Sequence, residues 1–224
     1  MVRISKPSLL AFALLSMILC GMPLILCGSS PQQKEPVDYV NPNMGGIGQL
    51  LSSTSPAVSM PYGMLRISPI TTPGITDRYL ADKIYGFPAG GMTLMPMTGS
   101  AETDPAKYAS MYDHDLETAT PYYYAATLEK YNVQVEYTVS AHAAYYCLTF
   151  PAGAAAHVLL SLPQNGKINP TNHTTLSGGG GGRGGRGGYF YAEFSKPLAS
   201  FQTLTGVQAA GRRGQGGGGL RIMA

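Results

Sequence analysis

Tryptophan is absent from this chain of 224 residues, cysteine occurs three times, and only 12% of the positions are charged. Each shortage excludes something. Cys20, Cys27 and Cys147 have no paired spacing, so they supply neither a disulfide framework nor a zinc ligand set. No GK[ST] follows either glycine tract, so a phosphate-binding loop is unsupported. No long amphipathic helical pattern is visible. The formal net charge is +3, and Arg3 and Lys6 near the start contribute two of those charges. Arg183, Arg186, Arg212, Arg213 and Arg221 lie in or beside glycine tracts near the end, which leaves the body of the chain mildly acidic. That is not the footprint of a nucleic-acid binder. The tract Ser177 to Gly188 holds two arginines and no aromatic residue, unlike segments that stack on RNA bases.

What is present begins with an apolar run. Arg3 and Lys6 precede Ser8 to Leu26, almost wholly apolar, and the pattern over 1–27 is that of a Sec-type export signal. The run is long enough to span a bilayer at roughly 20 residues. Gly21 and Pro23 interrupt it, which suits a signal better than a stable anchor helix. Leu24-Ile25-Leu26-Cys27 resembles a bacterial lipoprotein box with Cys27 as the lipidated residue, although Leu26 stands where a small residue is usual. Lipidation, ordinary cleavage and a retained anchor stay open. The expected location is outside the cytoplasm: periplasm or envelope, as an outer-membrane lipoprotein, or secreted. The membrane is met only through the signal or a lipid. Residues 28–36 read as a linker.

The remainder, 44% hydrophobic overall, is long enough for one domain with a real core. Val133, Val135, Tyr137 and Val139 alternate with Gln134, Glu136, Thr138 and Ser140, the period of a strand with one buried face. Tyr122 to Leu128 alternates before it, and Glu129-Lys130-Tyr131-Asn132 is short enough for a hairpin. Tyr146, Leu148 and Phe150 continue the pattern until Pro151. Short strands are also expected at 37–42, 57–68 with a break at Pro61-Tyr62-Gly63, 92–97, 157–162, 189–194 and 200–205. Residues 77–87 read as a polar-aromatic excursion, and 99–107 as loop. Glycine opposes order through its backbone entropy, so 177–188 is expected to be a loop and 207–224 an irregular tail. Cys147 is expected to be a small core residue. Short strands joined by Gly- and Pro-rich turns predict a mainly β fold, an antiparallel β-sandwich over 37–206.

VDYVNPNMGG, SMPYGMLRISP, DRYLADKIYGF, MTLMPMTG, the long segment YDHDLETATPYYYAATLEKYNVQVEYTVSAHAAYYCLTFP and YFYAEFSKPLASF occur in one order. That ordered set resembles the amino-terminal domain of glycoside hydrolase family 92, the exo-acting α-mannosidases. The resemblance covers nearly all of the chain after the signal. It implies a supersandwich-like amino-terminal domain, here incomplete, and a larger (α/α) barrel with the active site between them. It also implies inverting, calcium-assisted catalysis, with the general acid, the base and most calcium ligands supplied by the barrel. No catalytic residue and no metal ligand is then expected in this chain, and no cofactor of its own. The implied partners are a mannose-containing glycan and a catalytic barrel, in cis or in trans. Two departures touch the sugar side. Tyr85-Gly86-Phe87 continues into Pro88-Ala89-Gly90-Gly91 without the family's histidine, and Ile70 follows Ser68-Pro69 where a polar residue is common. A truncated or degenerate non-catalytic fragment, or an interaction module, is the alternative expectation.

Inverting glycoside hydrolysis needs two carboxylates with room for a water between them. Asp113, Asp115 and Glu117 would share a face if extended; the competing reading is an acidic, solvated turn leading to Pro121. His114, inside this group, matches a histidine of the family's segment before ATP, and is a candidate for carbohydrate binding or for pinning the turn. Asp77, Arg78 and Tyr79 are the other carbohydrate-binding candidates, since sugar sites place planar polar groups beside an aromatic face. An exposed loop with a local ion pair is the competing reading there. His142, His157 and His173 show no metal-ligand spacing and are expected at strand edges or in loops. Arg66 is expected to face solvent.

Overall fold

Val133, Val135, Tyr137 and Val139 are buried, while Gln134 and Thr138 are exposed and Glu136 is half-buried, as the alternation predicts. The computed structural model describes residues 34–46, 54–71, 80–89, 91–162, 166–179, 188–208 and 216–223, with side chains described as far as residue 204. The expected signal over 1–27, including Cys27, lies outside the described residues, and so do Asp77, Arg78 and Tyr79. Among the described residues no helix is long and apolar enough to cross a membrane.

From Pro36 onward the strands are, in chain order, β1 (Val58–Ser59), β2 (Arg66–Ile67), β3 (Ile70–Thr71), β4 (Lys83–Ala89) and β5 (Met92–Thr98). A one-turn helix, α1 (Pro105–Tyr108), precedes β6 (Ser110–Met111), β7 (Thr118–Ala119), β8 (Tyr123–Leu128), β9 (Val133–Val139) and β10 (Ala144–Thr149). Then follow β11 (Ala156–Ser161), β12 (Lys167–Pro170), β13 (Thr175–Gly179), β14 (Tyr189–Glu193), β15 (Ser200–Gln208) and β16 (Gly216–Met223). Apart from the small β1–β2 pair, three antiparallel sheets result. One has the order β10-β9-β8-β7; the largest, of seven strands, runs β15-β16-β11-β5-β4-β3 with β6 on β4; the third is β12-β13-β14.

The sheets stack around two cores. Tyr124, Ala126 and Leu128 of β8 and the inward residues of β9 pack against Ile84, Phe87, Met95, Met97 and Leu159 of the large sheet. On that sheet's other face, Leu94, Val158, Leu160 and Leu162 meet Leu176, with Ile168 and Phe190 partly buried beside them. The strands β5 and β11 are therefore buried on both faces, which is why MTLMPM and HVLLSL read as continuous apolar runs rather than alternations. Each fully buried Val or Leu here contributes about 1.5–3 kcal/mol.

The β8–β9 hairpin closes through Glu129 to Asn132. Asn132 takes φ +51, a conformation that asparagine tolerates better than most residues. Several expectations need correction. Residues 36–39 form a 3-10 turn rather than a strand. Pro36 fixes the φ of a first helical position, and Val40 N–H reaches back to Val37 C=O at 3.2 Å. The expected loop at 99–107 contains the start of α1. Asp104 caps it by accepting from Ala106 N–H at 3.0 Å, with Pro105 in the first turn. Lys83 to Phe87, expected in an excursion, belong to β4 because Ile84 and Phe87 are core residues.

The glycine expectations also change. Ser177, Gly178 and Gly179 are strand, not loop, because Phe190 and Tyr189 of the neighbouring strand fill the space that side chains would take there. Residues 180–187 lie outside the described residues. Residues 216–223 of the expected irregular tail form β16, which pairs with β11 on one side and β15 on the other. Backbone pairing needs no side chain, so a glycine-rich segment held on both edges becomes strand. Cys147 is exposed rather than a core residue. It lies on the outward side of β10, opposite Glu136, between the exposed Tyr145 and Thr149. His157 is neither at an edge nor in a loop. It is buried within β11, and its Nε2 donates to Gly99 C=O at 2.6 Å.

Candidate functional site: the His114 end of the sandwich

His114 lies in the connection from β6 to β7, where the chain bends at residues 114–116. The bend starts with Asp113, whose Oδ1 accepts from Asp115 N–H at 2.8 Å, so one acid folds its own backbone. Asp113 and Asp115 point to solvent, while Glu117 turns inward with its side chain 1% exposed. The three carboxylates therefore do not share a face, and the extended arrangement considered from the sequence does not occur. Asp113 and Asp115 fit the solvated turn; Glu117 does not.

Glu117 instead joins a small buried cluster. Its Oε2 stands 3.7 Å from His114 Nδ1. The imidazole ring packs on Tyr112 at 4.5 Å between centroids. Tyr124 faces the same carboxylate. Burial, and then the negative charge of Glu117, push the Tyr124 phenol well above its ordinary range. From Tyr124 the contact continues inward: it stacks on Tyr137 at 5.0 Å, and Tyr137 meets Tyr146 at 5.4 Å. A surface turn is thus tied to the first core by a line of tyrosines.

Exposed apolar side chains also lie on segments joined at the Tyr122 end of β8. Tyr39 ends the 3-10 turn and Val40 follows it, Met60, Tyr62 and Met64 sit on the turn between β1 and β2, and Tyr122 precedes β8; Leu116 is exposed in the His114 bend. These segments are bound to one another. The Tyr122 hydroxyl donates to Asp38 Oδ1 at 2.6 Å, and that bond raises the phenol's pKa. Ser59 N–H donates to Pro121 C=O at 3.0 Å, and Met64 N–H to Ala141 C=O at 2.8 Å. His142 Nδ1 lies 3.1 Å from Met64 Sδ.

Tyr62 is the unusual member. It is fully exposed and holds φ +59, a conformation uncommon for a bulky residue. Strain of this kind is kept where surrounding structure or function demands it. Sequence reading marked Pro61-Tyr62-Gly63 as a break but did not single out Tyr62. A tyrosine and two methionines around a Pro–Gly turn were the available signal. Arg66, next on the chain, is exposed as expected. Among the described residues no three His, Cys, Asp or Glu side chains gather to hold a metal ion.

The layering and register define residues from Pro36 onward as an antiparallel β-sandwich domain. The chain belongs to glycoside hydrolase family 92: residues 39–223 match the model of the glycosyl hydrolase family 92 N-terminal domain. Its fold is similar to that of a family 92 inverting mannosidase from Bacteroides thetaiotaomicron, with a TM-score of 0.69 at 24% identity, over 85% of this chain and 30% of that one. A family 92 alpha-mannosidase of the same organism gives a TM-score of 0.70 at 24% identity, over 84% of this chain and 31% of that one. A family 92 glycosyl hydrolase called ccman5 gives 0.65 at 19%, over 84% and 30%. The chain thus spans under a third of the length of these proteins. No functionally curated protein sequence matches it.

Proposed function

We propose that this chain is the sandwich half of an α-mannosidase, contributing to recognition of a mannose-containing glycan and packing on a catalytic (α/α) barrel. The barrel is supplied in cis or in trans, and the acid and base of the inverting reaction belong to it. The observation that carries the packing is the exposed apolar rim at the Tyr122 end of β8. Monomeric surfaces rarely leave Tyr39, Met60, Tyr62, Met64 and Tyr122 exposed on segments that hydrogen-bond to one another. Membership of the family supports the glycan. The same reading assigns any calcium to the barrel.

In this reading His114 helps to hold its turn, on Tyr112 and beside Glu117, against the barrel near the sugar. Asp77, Arg78 and Tyr79 remain candidates for direct sugar contact. The basic and apolar beginning of the chain supports export, with Cys27 as the point of lipid attachment. Growth with a labelled fatty acid, comparing wild type with Cys27→Ser, tests that attachment through loss of the label.

The main test is reconstitution. The chain is co-expressed with a tagged family 92 barrel domain, and capture and hydrolysis of an aryl α-mannoside are measured. Capture with activity above that of either part is expected. Met64→Asp on the rim should abolish both. Capture that survives Met64→Asp together with Tyr62→Asp would place the contact elsewhere and overturn the reading.

A further inference from the structure

Among the described residues, nothing covers one face of the third sheet. Register places Tyr189 of β14 opposite Gly179 of β13, and Gly179 opposite Lys167 of β12. Tyr191 faces Ser177, which faces Asn169. Directly paired residues project to the same side, so these side chains share one surface with Glu193. Leu176, Ile168 and Phe190 project to the other side and pack on the second core. Tyr189 is 90% exposed and Tyr191 68%.

The Tyr189 ring has a seat prepared for it. A Cβ at Gly179 would lie 2.7 Å from Tyr189 Cδ1, so the glycine makes the room in which that ring rests. Gly178 does the same for Phe190 on the inner side, with a Cβ there only 2.5 Å from the ring. Tyr189 and Tyr191 are two residues apart on one strand, which sets them about 7 Å apart on the same side.

We propose that this face is a carbohydrate-binding platform for a linear α-linked mannose oligosaccharide, with Tyr189 and Tyr191 as stacking rings and Asn169, Ser177 and Glu193 as hydrogen-bonding groups. The chemistry selects the ligand class. A pyranose offers an apolar C–H face bordered by hydroxyls. It needs aromatic faces with donors and acceptors within reach, and Tyr supplies a ring and a hydroxyl together. An apolar protein partner fits poorly, because the two rings stand among Lys167, Asn169, Ser177 and Glu193. Nucleic acid fits poorly, because the face carries one Lys and one Glu rather than a basic stripe. That the sugar is mannose rests on the functional reading above. The platform itself is a separate surface, on the opposite side of the large sheet from the His114 turn. It would hold a length of glycan away from the bond being cut.

The test is a chemical-shift titration of the whole chain with linear α-mannotetraose. Saturable binding is expected in the wild type. The pair Tyr189→Ala and Tyr191→Ala should weaken it at least about tenfold, given two lost stacking contacts. The pair Tyr189→Phe and Tyr191→Phe should stay within about threefold of wild type. Both positions are exposed, so neither pair removes core packing. The idea is overturned if the wild type shows no saturable shifts, or if the alanine pair binds as tightly. Loss of barrel capture by the alanine pair would also overturn it, since the face would then belong to the barrel. Failure of the reconstitution at the rim, with the tyrosine effect intact, would leave the platform standing and sink only the packing reading.

Discussion

His114 Nδ1 and Glu117 Oε2 stand 3.7 Å apart at the point where a surface turn enters the tyrosine-lined core. The carboxylate meets both the imidazole and the neighbourhood of Tyr124, and its side chain is almost entirely removed from solvent. Its loss is expected to matter more than that of either exposed acid beside it.

Glu117→Ala should cost about 1–3 kcal/mol, because polar groups buried around it lose a partner without gaining water. Asp115→Ala should stay within about 0.5 kcal/mol. Urea unfolding of the two variants and of His114→Ala measures this. A double-mutant cycle between positions 114 and 117 should show coupling above about 0.5 kcal/mol. Zero coupling would mean that the turn is held by something else.

Tyr62→Gly separates strain from function. Glycine takes φ +59 freely, so the variant should be as stable as the wild type, or more stable by up to about 1 kcal/mol. Capture of the barrel should weaken at the same time. A variant that loses stability would show that the Tyr62 ring packs on the chain itself.

Alkaline pH should unfold the sandwich before it unfolds the chain's surface turns. Burial pushes the phenols of Tyr108 and Tyr131 up to about 12. A raised folded-state pKa contributes stability that is complete below the unfolded value near 10, and that drains away as pH rises towards 12. The melting temperature should therefore be flat up to about pH 9 and fall between 10 and 12. Tyr131→Phe should blunt the fall. It should also cost about 1 kcal/mol at neutral pH, through the lost bond from its hydroxyl to Tyr108 C=O at 2.9 Å. A flat profile to pH 12 contradicts the argument.

Cys147 should react with a maleimide in the native protein, at a rate close to that in denaturant. Cys147→Ser should change stability by less than about 0.5 kcal/mol. Protection of the thiol until unfolding would restore the buried position.

Gly86→Ala should destabilise by about 2 kcal/mol or more. Gly86 holds φ +142 in β4, and a Cβ there would lie 2.5 Å from Thr93 Cγ2 and 3.1 Å from Leu94 O. It stands at the irregular pairing of β3 with β4, where the register shifts between Ile70 and Thr71. Thermal unfolding of the variant is the measurement, and a shift of under 1 °C would show that the strand relaxes without cost.

Much of the first core was legible because one strand face there is dry and the other wet. Val133 to Val139 and Tyr146, Leu148 and Phe150 announced themselves by alternation. Cys147 misled because β10 carries Tyr145 and Cys147 on one side and Tyr146 and Leu148 on the other. Composition alone does not choose between two such faces; the pairing with β9 does. The candidate site was legible in part. His114 was found by its place in a recognisable segment. Glu117's inward turn and the strained Tyr62 were not, because both depend on a bend and on neighbours distant in the chain.

The sequence by itself determined the class of fold, the hairpin at Glu129 to Asn132, and the family, because strand period, turn chemistry and an ordered set of short motifs are local properties. Tertiary structure alone decided that a glycine-rich segment becomes β16, and that Gly178 and Gly179 seat aromatic rings. It also decided that Tyr189 and Tyr191 look outward while Phe190 looks inward. A glycine carries no side chain to declare its neighbours. Its role is set by which strand lies beside it and which ring comes to rest where a Cβ would have been.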